Sequence, residues 1–269
     1  MKGEYHQELI RNINHWHMEI DDSGFVLLDH DSWQARDICS PYSRLYLVCG
    51  GAGELKVSGR KIPLLPGHVY FIPAGLTFDY GCADTLEKMF FHLRLVKPDG
   101  YDLADGLSSV AVSPLEEDRF SWMLDRYRGH CWKDMLLLEQ EIRSLVLHLL
   151  EQYSVLRTPL VSYSDLTQQT IGYIHTHLRA GLTAKQVADA VFTSTVTLSR
   201  RFRQETGKTI HQYLEDMVFQ SACKQLAVGD QPLAQISENL GFCDPFYFSR
   251  RFRQRYGETP SQYRRRLKL

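Results

Sequence analysis

The chain has 269 residues, 43% of them apolar and 23% charged, with six cysteines and a formal net charge of −1. That composition excludes collagen-like, low-complexity and disulfide-dense classes, and the length suggests two domains that each bury a core. The small net charge hides two unequal parts: residues 164–269 carry 15 basic and 9 acidic side chains, and the residues before them carry 16 and 23. A basic C-terminal part suits a polyanion partner, although chance imbalance between two solvated surfaces gives the same sum.

Cys39, Cys49, Cys82, Cys131, Cys223 and Cys243 form no C-x-x-C pair and no zinc-finger spacing. The first ten residues, MKGEYHQELI, lack the apolar run of a signal peptide. The expected state is therefore buried, reduced thiols in a cytoplasmic protein. Apolar runs such as residues 135–138 are far too short to span a bilayer, so no membrane partner is expected.

From about residue 25 to 96 the chain reads as short strands at 25–28, 45–49, 54–57, 69–72 and 89–95, rich in β-branched and aromatic residues. Turn chemistry separates them: Gly50-Gly51-Ala52-Gly53, Ser58-Gly59-Arg60, Pro66-Gly67 and Pro73-Ala74-Gly75. Short strands at this spacing predict a sandwich or small barrel. From about residue 114 the pattern turns helical. Over residues 133–153, Leu138, Ile142, Leu145, Val146 and Leu149 share one face, opposite Glu139, Gln140, Arg143, Ser144 and Glu151. Such a stripe packs against its own strands, against the same helix of a second subunit, or both. Residues 154–165, polar and holding Pro159, read as a linker at the charge boundary.

The strongest signal is a repeat of about 50 residues. LSRRFRQETG (198–207) recurs as FSRRFRQRYG (248–257) with seven of ten positions identical, and Thr209, Gln212 and Tyr213 recur as Thr259, Gln262 and Tyr263. Each copy has the shape of a helix, a tight turn and a second helix. In the first, Val187, Ala188 and Val191 share a face, residues 192–194 turn, and Ser194 or Thr195 caps a helix closed by Gly207. In the second, Asp244 caps a helix whose first residue is Pro245, where a missing N–H costs nothing. With Leu198/Phe202 and Phe248/Phe252 buried, Arg200, Arg201 and Arg203 and their counterparts Arg250, Arg251 and Arg253 face outward. A guanidinium there reaches guanine O6/N7 or a phosphate; alone, such arginines are a solvated helix face, but their recurrence at one register in two helix-turn-helix units argues for DNA.

These residues resemble the AraC/XylS family of transcription regulators. The resemblance covers residues 166–269 and is most specific over GFCDPFYFSR (241–250), followed by Phe252, Gly257, Thr259-Pro260 and Tyr263-Arg264. It implies seven helices in two subdomains joined by one long helix, here about 210–228, with two helices entering successive major grooves ~34 Å apart. Carried over by position, Val196, Ser199 and Arg200 would face bases from the first unit and Phe246, Ser249 and Arg250 from the second, while Arg201 and Arg251 would hold phosphates. The chain departs from the family in having Val218 and Ser221 where arginines are usual on the long helix. PGHVYFIPAG (66–75) and KMFFHLRL (88–95) resemble the family's cupin-like sensor domain. That resemblance implies an α+β protein of two domains: a sensing barrel (1–112), dimerisation helices (113–153), the linker (154–165) and a DNA-binding domain (166–269).

Cupin barrels also host metalloenzymes, which makes a metalloenzyme with a helical interaction module the alternative reading. Those need clustered histidines and a carboxylate around one metal. Here Phe78 stands where such enzymes place a strand-end histidine, and His15/His17 and His68/His92 make no ligand set. No nucleophile motif or phosphate loop is present, so no catalytic residue, metal or cofactor is expected. Arg44, Tyr46, Tyr80 and His92 lie on or beside barrel strands and are the candidates for hydrogen-bonding a sugar-like effector, with Trp33, Tyr70 and Phe90 available to stack; each equally suits an ordinary core. The expected partners are promoter or operator DNA, a small effector, a second copy of the chain and, for an activator, RNA polymerase.

Overall fold

Alternation along two strands organises the N-terminal half. In the computed structural model, which describes residues 9–10, 12–157, 163–228 and 230–267, strands β1 (His17–Asp29), β8 (Thr85–Val96), β3 (Ser43–Gly51), β6 (His68–Ile72) and β9 (Ala111–Pro114) form one antiparallel sheet in that order. A second sheet runs β2 (Gln34–Cys39), β7 (Thr77–Gly81), β4 (Gly53–Val57) and β5 (Arg60–Leu64). Because strand side chains alternate faces, β3 and β8 each serve two cores. Leu45, Leu47, Met89, Phe91, Leu93 and Leu95 point to one side of the first sheet. Tyr46, Val48, Leu86 and Phe90 point to the other, toward Leu55, Phe78 and Tyr80 of the second sheet.

The first of these faces is covered by α1 (Glu117–Arg128) and α2 (Trp132–Gln152). The stripe predicted on α2 is real: Leu138, Ile142, Leu145, Val146 and Leu149 are all buried against the sheet.

The two sheets share no strand ladder among the described residues, so the unit is an open two-layer sandwich rather than a closed barrel. Two edges show why. Strand β2 breaks register between Ala35 and Ile38, around Asp37 at φ 53°, and β5 carries Pro63, which has no N–H to donate.

The chain divides into two compact units, Met1–Pro159 and Leu160–Leu269. Val155–Arg157, inside the stretch expected to be a linker, form a 3₁₀ turn, and Val155 packs on the core of the first unit. Residues 158–162 of that stretch lie outside the described residues. The cysteines are all free, but not all buried as expected: Cys131 and Cys243 are exposed, one preceding a helix and one in a turn, where no apolar partner covers them.

The second unit holds seven helices among the described residues: α3 (Asp165–Thr176), α4 (Ala184–Ala190), α5 (Thr195–Thr206), α6 (Ile210–Val228), α7 (Leu233–Asn239), α8 (Pro245–Tyr256) and α9 (Pro260–Leu267). Helix α6 is the expected long connector. Its Val218 is buried with Phe219, Ala222 and Leu226 against Phe248 and Phe252 of α8. The position where the resemblance leads to an arginine is a core residue in this chain. Ser221 on the same helix accepts a hydrogen bond from Gln225. No helix among the described residues is long and apolar enough to cross a membrane.

Candidate nucleic-acid interface and effector site

The outward helices α5 and α8 start and stop by the same local chemistry. Ser194 Oγ accepts the Thr197 N–H at 3.1 Å, and the Asp244 carboxylate accepts the Phe246 and Tyr247 N–H groups at 3.0 Å each. Both caps satisfy donors that a helix start leaves free. Both helices end on a glycine in the left-handed conformation, Gly207 at φ 73° and Gly257 at φ 78°, whose N–H returns to Arg203 O and Arg253 O. Leu198, Phe202, Phe248 and Phe252 are fully buried, which fixes the rotation of each helix about its axis.

That rotation leaves Val196, Ser199, Arg200 and Arg203 exposed on α5, and Phe246, Arg250 and Arg253 exposed on α8; Ser249 is half-buried. Two apolar side chains stand out in water at the first turns, Val196 at 80% and Phe246 at 85% exposure. Exposed apolar groups at a helix N-terminus suit contact with a thymine methyl. Phe192, in the first turn at φ 54°, is 97% exposed. Sequence reasoning read it only as a turn residue, and the available signal was an aromatic side chain between two helices with no apolar register to join.

The two phosphate candidates differ. Arg201 lies 3.6 Å from Glu205 of its own helix and remains half exposed. Arg251 is ion-paired with Glu215 of α6 and also donates to Gln254 Oε1 at 2.9 Å, so its guanidinium holds α8 to the connecting helix. The two helical halves are tied further. Asp216 of α6 takes Lys208 Nζ and Arg255 Nη2, each at 2.6 Å, and the Ala180 N–H donates to Leu240 O at 2.7 Å.

In the sandwich, register brings the predicted effector residues together. Arg44 is opposite His92, Tyr46 opposite Phe90, and Val48 opposite Lys88, all facing the second sheet. Arg44 donates from Nε and Nη2 to Ser40 Oγ at 3.2 and 2.8 Å and from Nη1 to the Tyr46 hydroxyl at 3.1 Å. Tyr80 stacks on Trp33 with ring centroids 4.6 Å apart, and Tyr42 stacks on His92 at 4.5 Å. Lys88 Nζ sits 3.4 Å from the Tyr46 ring centre and 4.1 Å from that of Trp33.

Burial, then the fields of Arg44 and Lys88, push the His92 pKa down to about 3, so its imidazole is neutral. Asp22, 3.5 Å from Nδ1, faces solvent and does not offset them. Tyr70, one of the stacking candidates, has a structural part instead: its hydroxyl accepts from the Leu65 N–H and donates to Pro63 O. Lys88 and Tyr42 were missed in the sequence. The signal for Lys88 was its place in KMFFHLRL, two and four residues before Phe90 and His92, on the same strand face. Among the described residues, no group of three or more His, Cys, Asp or Glu is placed to hold a metal ion.

Two capped helices with outward arginines at one register, each behind a tight turn, define a helix-turn-helix DNA-binding module. Comparison with known proteins agrees: residues 187–266 match the helix-turn-helix domain family. Over most of its length the chain is similar to the helix-turn-helix-type transcriptional regulator YobQ of Bacillus subtilis, at 29% identity over 84% of this chain and 87% of that protein. It is also similar to the MmsAB operon regulatory protein of Pseudomonas aeruginosa (27%; 83% and 76%) and the arabinose operon regulatory protein of Escherichia coli (25%; 82% and 79%). Residues 187–266 therefore carry a helix-turn-helix domain, and over most of its length the chain is similar to proteins that regulate operons.

Proposed function

We propose that this chain is a sequence-specific regulator that binds promoter DNA through α5 and α8 and answers to a small polar metabolite held in the N-terminal sandwich. The observation that carries the DNA half is the repeated register: Arg200 and Arg250 stand outward at equivalent positions of two helices whose rotation is fixed by buried Leu198/Phe202 and Phe248/Phe252. Val196, Ser199 and Phe246, Ser249 lie within about one turn of those arginines on the same helices and read bases beside them. Arg201 holds a phosphate, and Arg251 does so only by giving up its partner Glu215.

The protein acts in the cytoplasm as a homodimer, an activator that engages RNA polymerase and not an enzyme. Trp132, Met135 and Leu136, exposed at the start of α2, support pairing with a second copy. Arg44, Tyr46, Tyr80 and His92, which face one another between the sheets, support the effector site. The relatives that regulate the arabinose and MmsAB operons support a role in metabolite-responsive gene control. The direct test is electrophoretic mobility shift of the full chain on DNA flanking its own gene at about 100 mM salt, where phosphate contacts still act. Retardation that resists competitor DNA is expected. Absence of any shift overturns the reading.

A further inference from the structure

The interior of the sandwich holds two basic side chains and, among the described residues, no acidic partner for either. Arg44 and Lys88 are both buried, at 7% and 3% exposure. A guanidinium has five N–H donors, and those of Arg44 that are engaged go to two neutral hydroxyl oxygens, Ser40 and Tyr46. Lys88 rests on the ring faces of Tyr46 and Trp33. Among the described residues no carboxylate lies within 4 Å of either group. A buried charge without a counter-charge is costly, and proteins ordinarily pair it.

The two cations also converge. Arg44 bonds the Tyr46 hydroxyl while Lys88 lies over the ring of that same phenol, so one side chain spans the gap between them. Each raises the positive potential felt by the other. Burial first, and Arg44 second, hold the Lys88 ammonium well below the usual lysine range. An incoming negative charge would relieve both effects.

We propose that the effector is a small hydroxylated carboxylate, its acid group held between Arg44 and Lys88 and its hydroxyls by His92 and the tyrosines. This rests on the effector site proposed above and replaces a neutral sugar with a sugar acid or similar hydroxy acid. A guanidinium presents a planar fork that matches a carboxylate, and an ammonium adds a point charge from a second direction. Neutral His92 both donates to and accepts from a hydroxyl. The rings of Trp33 and Tyr80 offer an apolar wall for carbon skeleton.

The test is thermal shift and titration calorimetry of the full chain against matched pairs: gluconate, glucuronate, galacturonate and glycerate, each beside its neutral alcohol or sugar. At least one acid is expected to raise the melting temperature while its neutral counterpart does not. Lys88→Met is expected to fold, because it removes an uncompensated buried charge, and to weaken binding of that acid about tenfold or more. Lys88→Arg, which keeps the charge, is expected to retain part of the affinity. If a neutral sugar binds and its acid does not, the class is wrong while the site stands. If the acid binds equally to Lys88→Met and Arg44→Gln variants, the site itself is wrong. If no acid binds, the inference fails. Mobility shift without ligand is unaffected by all three outcomes, so the DNA-binding reading is judged separately.

Discussion

Arg251 of α8 is ion-paired with Glu215 of α6, whereas Arg201, its counterpart on α5, lies 3.6 Å from Glu205 of its own helix. One repeat thus uses an arginine as a strut and the other leaves it near solvent. Removing Glu215 should free the strut for phosphate. The expected outcome for Glu215→Gln is tighter non-specific DNA binding, with a steeper dependence of log K on log salt, by about one phosphate contact. Arg201→Ala should make that slope shallower by a similar amount. The checking measurement is fluorescence anisotropy of a random-sequence duplex from about 50 to 200 mM salt. An unchanged slope for Glu215→Gln would show that Arg251 stays docked on α6.

Arg200 and Arg250 differ from that pair in having no carboxylate within 4 Å among the described residues; Arg250 lies 5.4 Å from the Tyr247 ring centre. Both are therefore free to be read as base contacts. Arg250→Ala is expected to cost ~1–3 kcal/mol of specific binding and to relax preference at one base position. Arg200→Ala should do the same at a second position, about one helical turn of DNA away. Selection of binding sites from a random pool checks both variants, and a preference that survives Arg250→Ala intact removes Arg250 from the base-reading set.

The cap of α8 is a carboxylate that accepts two backbone N–H groups, from Phe246 and Tyr247. Because Phe246 is one of the proposed base contacts and Ser249 and Arg250 follow on the same helix, the cap sets both stability and position. Asp244→Ala is expected to destabilise the chain by about 1 kcal/mol, and Asp244→Asn by much less, since the amide oxygen still caps. Urea unfolding followed by far-UV circular dichroism measures it. Equal loss in the two variants would mean that charge at the helix end, rather than the hydrogen bond, is what Asp244 supplies.

How far the sequence could be read follows from where apolar periodicity survives. The C-terminal unit was legible almost to the residue, because its helices bury Leu198, Phe202, Phe248 and Phe252 at helical spacing and are bounded by Ser194, Asp244, Gly207 and Gly257. The first half of β1 was not. Its Glu19, Asp21 and Asp22 show no apolar alternation, yet the strand is held by its ladder with β8, and Arg94 of β8 pairs with Glu19 and Asp21. Strands β2, β5, β7 and β9 were missed: β5 holds Pro63 and β9 ends at Pro114, β2 carries Arg36 and Asp37 where its register breaks, and Asp79 and Gly81 weaken the strand pattern of β7. In the effector site, Arg44, Tyr46, Tyr80 and His92 were visible as polar or amphipathic residues on or beside predicted strands. Lys88 was not, because a lysine in a strand ordinarily faces water; only the register opposite Val48 puts it inside.

His92 gives that interior a pH signature. In the folded chain its pKa lies near 3, and in the unfolded chain near the ordinary value of about 6.5. Between these values the unfolded state binds a proton that the native state does not. The contribution of neutral His92 is therefore complete above pH 6.5 and is lost as pH falls toward 3, at up to ~1.4 kcal/mol per pH unit. Asp102 works in the opposite sense: burial raises its pKa to about 6, so its native carboxyl takes up a proton that the unfolded chain releases, and stability rises as pH falls from 6 toward 4. Comparing wild type with His92→Gln cancels Asp102, which both share. Wild type should lose about 2 kcal/mol more than the variant between pH 7 and pH 5, measured by urea unfolding at each pH. The same loss in both proteins would mean that His92 is protonated in the folded chain, with Asp22 as its partner, and that the cationic interior does not reach it.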